Sequence, residues 1–153
     1  MTTLTYIRHS KQKYHNHLDP PIIKSPLPLD IQFDFIICSP YLRCRQTAMV
    51  LNIIRNKPIY VDINISEFLG KHNRISSMSL SSTKYGIIPM NETFEEFDER
   101  LNDHLDYVLS FKKNILIVTH SFNVKLMQMK LTGRTDYDEN VPVPYVKGFS
   151  VYI

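Results

Sequence analysis

Arg8-His9-Ser10 and Thr119-His120-Ser121 place a histidine directly after each of two short apolar runs, Leu4-Thr5-Tyr6-Ile7 and Ile115-Leu116-Ile117-Val118. A neutral imidazole is a nitrogen nucleophile that can attack phosphorus and hold the phosphoryl group covalently. An adjacent arginine clamps phosphate oxygens through paired N–H donors, a geometry lysine cannot copy. Taken alone, Arg8-His9 reads more readily as a surface Arg-His pair after a strand. Together the two histidines point to an anionic substrate, provided the fold brings them into one crevice.

The segment Ser39-Pro40-Tyr41-Leu42-Arg43-Cys44-Arg45-Gln46-Thr47-Ala48 offers a third wall for that crevice. Strand end, proline and helix start follow in succession, so free backbone amides and the positive end of a helix face the same way. Arg43 falls in the first turn, where a cation opposes the helix dipole, and a bound anion would account for it. Arg45 points elsewhere, to solvent or an ion pair. Tyr41 lies at the rim or packs beside the helix start. Glu67 lies in a loop, where a glutamate is ordinarily just solvated, and Glu92 lies ahead of a helix, where its plain role is to stabilise the helix start. His15 and His17, with His9 and His120, have some ligand-like spacing. No cysteine or carboxylate cluster supports a metal there, so none is expected. Lys11, Lys13, His15 and Asn16 could instead touch a substrate beyond its phosphate.

The positioning elements follow from periodicity. Strands are expected at Thr3–Ile7, Phe35–Ser39, Pro58–Val61, up to Thr119, and Phe149–Ile153. The apolar runs suit strands buried on both faces, and open α/β sheets bind ligands at the carboxyl ends of such strands. Four prolines between residues 20 and 28 make most of 10–34 a loop. A helix should run from Pro40 to about Ile54 with Leu42, Met49, Val50 and Ile53 buried. Thr93-Phe94-Glu95-Glu96 has capping-box spacing and opens a helix to about Ser110, with Phe94, Phe97, Leu101, Leu105 and Val108 on one face. Another helix spans about 123–131, with Gly133 as its stop. The serine-rich segment 71–91 reads as a mobile loop. The expected fold is α/β, a three-layer sandwich with a mostly parallel central sheet and one domain over 1–153.

Composition bounds the function. The 153 residues, 43% hydrophobic and 22% charged with a net charge of +3, suit one soluble domain. No run of five or six basic residues indicates a nucleic-acid partner, and no apolar run suits a membrane span. Cys38 and Cys44 form no disulfide framework, and a strand begins near Met1 without room for a leader. A cytoplasmic or nuclear protein with reduced thiols is expected.

These motifs carry a resemblance. Arg8-His9-Ser10 resembles the Arg-His-Gly triplet of the histidine phosphatase superfamily, the phosphoglycerate-mutase-like proteins. Residues Ser39 to Ala48 resemble its Ser-Pro-x-x-Arg-x-x-Gln-Thr-Ala pattern, and Val118-Thr119-His120-Ser121 its second histidine motif. Asp19-Pro20-Pro21-Ile22 and Asn91-Glu92-Thr93, with Arg100 downstream, are similar to two further family segments. Leu42-Arg43-Cys44 and Ile63 to Leu69 are similar to the branch containing the suppressor of T-cell receptor signalling phosphatases. The resemblance implies a phosphoglycerate-mutase-like fold of minimal size. It implies a metal-independent, cofactor-free phosphatase acting on a phosphorylated small molecule or phosphoprotein through a phosphohistidine. His9 would be the nucleophile, Arg8, Arg43 and His120 would bind phosphoryl oxygens, and Glu67 would be the general acid, with Glu92 as its rival. A partly buried carboxyl with a raised pKa would suit that acid. Ser121, through its backbone amide, and His15 would assist binding. Mutase activity is less expected from so short a chain. A catalytically weak or inactive phosphate-binding or protein-interaction module on the same fold is the alternative. Ser10 stands where the family has glycine, and residues 19–35 are too short for a helix the family carries there. A homodimer could cover the resulting open crevice.

Overall fold

The computed structural model describes residues 2–13, 19–70, 82–89, 91–134, 138 and 140–153. In chain order the strands are β1 (Thr3–Arg8), β2 (Phe35–Cys38), β3 (Ile59–Val61), β4 (Ser82–Thr83), β5 (Gly86–Ile87), β6 (Ile115–Thr119) and β7 (Gly148–Tyr152). Among the described residues three α-helices accompany them: α1 (Leu42–Leu51), α2 (Phe94–Ser110) and α3 (Ser121–Thr132). The main sheet has the order β3-β2-β6-β1-β7, with only β7 antiparallel to its neighbour. β4 and β5 pair separately as a small hairpin inside the segment read as a loop; residues 71–81 lie outside the described residues.

Alternate residues of the central strands feed two cores, which is why those strands read as unbroken apolar runs. Leu4, Tyr6, Phe35, Ile37, Ile115 and Ile117 pack with Phe97, Leu101 and Val108 of α2 and Val124 and Met127 of α3. Ile7, Ile36, Cys38, Leu116 and Val118 pack on the opposite face with Cys44, Ala48 and Leu51 of α1. The result is the expected three-layer α/β sandwich. Gly148 permits a close approach of β7 to β1: a Cβ there would lie 1.7 Å from the Tyr6 carbonyl oxygen.

The expected face of α1 is wrong. Met49 and Ile53 are exposed at 61% and 73%, Leu42 and Val50 are half-buried, and the helix stops at Leu51 rather than Ile54. The buried stripe is Arg43, Cys44, Thr47, Ala48 and Leu51. Counting apolar residues selects the opposite side, because this helix turns a charged residue inward and uses small side chains to approach the sheet. α2 opens with the expected capping box: Thr93 Oγ1 accepts from Glu96 N, and Glu96 Oε1 accepts from Thr93 N. Phe94 is nearly half exposed, at the edge of an aromatic cluster with Phe68, Phe97 and Phe122. α3 begins two residues earlier than expected, with His120 as its N-cap, and Gly133 ends it with a left-handed φ of 72°. Among the described residues no helix is long and apolar enough to cross a membrane.

Candidate active site

β1 and β6 are adjacent and parallel, with Arg8 opposite Thr119, so the next residue of each strand is a histidine. His9 and His120 consequently meet, their ring centroids 5.5 Å apart. Arg43 reaches both from the first turn of α1. Its Nε donates to His9 Nε2 at 3.2 Å, and its Nη2 lies 3.4 Å from His120 Nδ1. The burial of a cation at a helix start is thereby explained by what it touches.

The hydrogen bonds assign the tautomers. The Ser10 carbonyl can only accept, so His9 Nδ1, 2.7 Å away, carries the proton. That leaves the Nε2 lone pair facing Arg43. Burial, and next the positive charge of Arg43, push the His9 pKa down to about 3, so the ring is a neutral imidazole. His120 is held well below its ordinary value by the same causes. Its Nδ1 accepts from Arg43, and its Nε2 proton goes to Ser39 Oγ at 2.9 Å. Cys44 Sγ lies 3.6 Å from His120 Nε2, but burial pushes its thiol up, so it is no second nucleophile.

Arg8 leaves the end of β1 beside His9. Its guanidinium lies 4.0 Å from the Tyr145 ring centroid and donates to the Val143 carbonyl at 2.8 Å. Tyr145 is also 6.0 Å from His9, ring to ring. The turn that presents it includes Val146 at a φ of 57°, a rare conformation for a β-branched residue. Ser121 Oγ accepts from Val143 N at 2.7 Å, so its hydroxyl fastens this covering segment rather than facing the crevice. Arg8 Nε and the Tyr41 hydroxyl are buried with no hydrogen-bond partner among the described residues. Tyr41 itself packs between His120 and Arg43, with centroid distances of 5.0 Å to the ring and 4.7 Å to the guanidinium.

Glu67 Oε2 accepts from Arg43 Nη2 at 2.7 Å, and its side chain is 38% exposed, at the mouth of the crevice. Glu92 is buried and bound through both carboxylate oxygens to Arg100, at 2.6 to 3.1 Å. Of the two acids, only Glu67 touches the group that holds His9 and His120. Ser10 fits in place of glycine because its hydroxyl turns away and donates to the Lys24 carbonyl at 2.6 Å. Its amide donates to Thr47 Oγ1 of α1 at 2.9 Å. Asp19 Oδ1 accepts from Leu42 N and so covers the start of α1. His15 and His17 lie outside the described residues. Among the described residues no group of three histidine, cysteine or acidic side chains is arranged to hold a metal ion.

A sequence model of the histidine phosphatase superfamily (branch 1) matches residues 28–140. The chain belongs to the histidine phosphatase superfamily. The match includes Arg43, Glu67 and His120, while Arg8 and His9 precede it and are joined to them by the β1–β6 register. Solved structures agree in fold. Alpha-ribazole phosphatase from Shigella flexneri is 23% identical with a TM-score of 0.63, over 86% of this chain and 80% of that one. Phosphoglycerate mutase from Bacillus anthracis is 14% identical with a TM-score of 0.67, over 97% and 86%. A mycobacterial glucosyl-3-phosphoglycerate phosphatase is 14% identical with a TM-score of 0.66, over 97% and 88%. Comparison with curated proteins finds no match.

Several residues of this histidine phosphatase site are not singled out by residue type alone. Ser39, Thr47 and Tyr145 act through contacts that only the fold creates. Arg100 and His104 did leave a signal. Both are buried polar residues on the apolar face of α2 defined by Phe97, Leu101 and Val108.

Proposed function

We propose that the chain is a phosphomonoesterase working through a phosphohistidine on His9, with residues 1–153 acting as one domain. The observation that carries this reading is the His9 geometry. A neutral imidazole has its Nδ1 proton committed to a backbone carbonyl and its Nε2 lone pair facing Arg43 at 3.2 Å. A phosphoryl group entering between them meets a nucleophile and a cation together. The unpaired Arg8 Nε and Tyr41 hydroxyl are two further donors for its oxygens. Such transition states spread charge over equatorial oxygens, so fixed positive groups supply much of the catalysis. A dianion here also favours protonation of His120, which would turn its crevice-facing Nδ1 into a donor.

The reaction balances in two steps. His9 Nε2 attacks phosphorus, the bond to the ester oxygen breaks, and Glu67 gives the departing oxygen its proton. Water then attacks the phosphoryl group, Glu67 takes a proton from it, and the P–N bond breaks to release phosphate and neutral His9. The Arg43–Glu67 pair must open first, since the phosphate takes the arginine. The structural neighbours named above bear the names of enzymes acting on phosphorylated small molecules, which supports a small phosphorylated substrate for this chain as well. Hydrolysis rather than mutase transfer is favoured by the absence, among the described residues, of a helix between 19 and 34 that would help enclose a second phosphate.

The test is hydrolysis of an aryl phosphate in excess chelator by wild type and His9→Ala. Activity that survives chelation and disappears in the variant supports the reading. Vanadate binding by a folded wild type that hydrolyses nothing would replace it with a phosphate-binding module.

A further inference from the structure

We propose that Arg100 is the positioning residue that aims Glu67, and that Glu92, the rival acid, serves as its counter-ion. The proposal rests on the reading of Glu67 as general acid. Glu67 follows a short 3-10 turn, Ile63–Ile65, and belongs to neither a helix nor a strand. Its aim therefore depends on what fixes the backbone of 64–67. That backbone presents four successive carbonyls to buried donors. Arg100 Nη1 donates to Asn64 O at 2.6 Å and to Ser66 O at 2.8 Å, and Nη2 donates to Glu67 O at 3.2 Å. Thr119 Oγ1 donates to Ile65 O at 2.7 Å. Asn123 Nδ2 donates to Ile65 O and Ser66 O, both at 3.1 Å.

The remaining Arg100 donors go to Glu92, so all five N–H groups of one planar fork are used. Glu92 is needed because a buried guanidinium must be neutralised, and it is too fully bound to serve as an acid. Thr119 precedes His120, and Asn123 lies in the first turn of α3 behind it. Two of the donors that hold the acid loop, Thr119 and Asn123, are thus built into the segment that carries His120, and Arg100 adds its own from α2. One rigid unit sets the separation between the acid and the phosphoryl site.

A positioning role makes a kinetic signature that a merely structural role does not. Proton donation matters for a poor leaving group and hardly at all for a good one. The experiment measures kcat/KM of Arg100→Lys on glycerol phosphate and on dinitrophenyl phosphate, with Glu67→Gln alongside. Lysine keeps the charge facing Glu92 but cannot span three carbonyls. The double variant Glu92→Gln/Arg100→Gln, which removes the buried charge on both sides, is measured in parallel so that instability of one protein does not decide the matter.

Well-placed general acids contribute about a hundredfold or more, and misplacement by about an ångström can cost most of that. The expected result is a fall of about tenfold to a hundredfold on the alkyl ester with little change on the dinitrophenyl ester, and unaltered vanadate inhibition. Equal loss on both esters, or loss on neither, overturns the proposal. If Glu67→Gln itself shows no leaving-group dependence, the underlying reading of Glu67 falls, and the proposal with it. If Glu67→Gln shows it and the Arg100 variants do not, only the proposal falls.

Discussion

Acidification from about pH 7 to pH 5 should weaken this fold through His9 and His120, and replacing His9 should remove the part of that loss that His9 carries. Burial and the Arg43 charge depress the folded-state pKa of His9 to about 3, against an ordinary value of 6.5. Between those values the unfolded chain binds a proton that the folded one refuses, so stability rises with pH across the window and falls on acidification. Each unit below 6.5 removes about 1.4 kcal/mol, which makes about 2 kcal/mol for His9 at pH 5. His120, held well below its ordinary value by burial and the Arg43 charge, adds to the loss in the same direction. Asparagine at position 9 can still donate to the Ser10 carbonyl but does not titrate. Urea unfolding of wild type and His9→Asn at the two pH values measures the difference, and every other titrating group largely cancels. The expected result is a pH-dependent loss smaller by about 2 kcal/mol in the variant. Equal losses would mean that His9 takes a proton in the folded state, and the neutral nucleophile would have to be abandoned.

Three further outcomes follow from single contacts. Gly148→Ala would place a methyl group 1.7 Å from the Tyr6 carbonyl oxygen, so β7 must leave β1; a loss above about 3 kcal/mol is expected in thermal unfolding, and an unchanged Tm would refute the register. Tyr6→Phe removes the hydroxyl that meets buried His104 Nε2 at 3.0 Å, while His104 Nδ1 stays with Asp62; denaturant titration should show a cost of about 1–3 kcal/mol. Ser10→Gly removes only the bond to Lys24 O and should cost about 1 kcal/mol of stability without lowering aryl phosphate hydrolysis; a large fall in kcat would show that the hydroxyl serves the phosphate.

What was legible in the sequence depended on how each residue earns its place. His9 and His120 could be paired in advance, because doubly buried strands leave continuous apolar runs and parallel strands bring their ends together. The capping box at Thr93 and the stop at Gly133 were equally visible, since both are local. The face of α1 was not. Its core side carries Arg43, Cys44 and Thr47, and the burial of Arg43 depends on His9, His120 and Glu67, none of them near it in sequence. The choice between Glu67 and Glu92 was also closed to the sequence. The choice proposed here turns on Arg100, which binds Glu92 and whose other partners are backbone carbonyls, and a carbonyl leaves no mark on residue type. Tyr145 was hidden for a similar reason, as its place over Arg8 depends on an unusual backbone turn at Val146.

The most direct test of the histidine mechanism is to trap the intermediate. Wild type mixed with a radiolabelled phosphomonoester in chelator and quenched within milliseconds should carry label on His9, stable to alkali and lost in acid. His9→Ala should carry none, and Glu67→Gln should retain the label longer as the second step slows. Label on another residue, or rapid hydrolysis with no labelled protein in wild type or Glu67→Gln, would contradict the account.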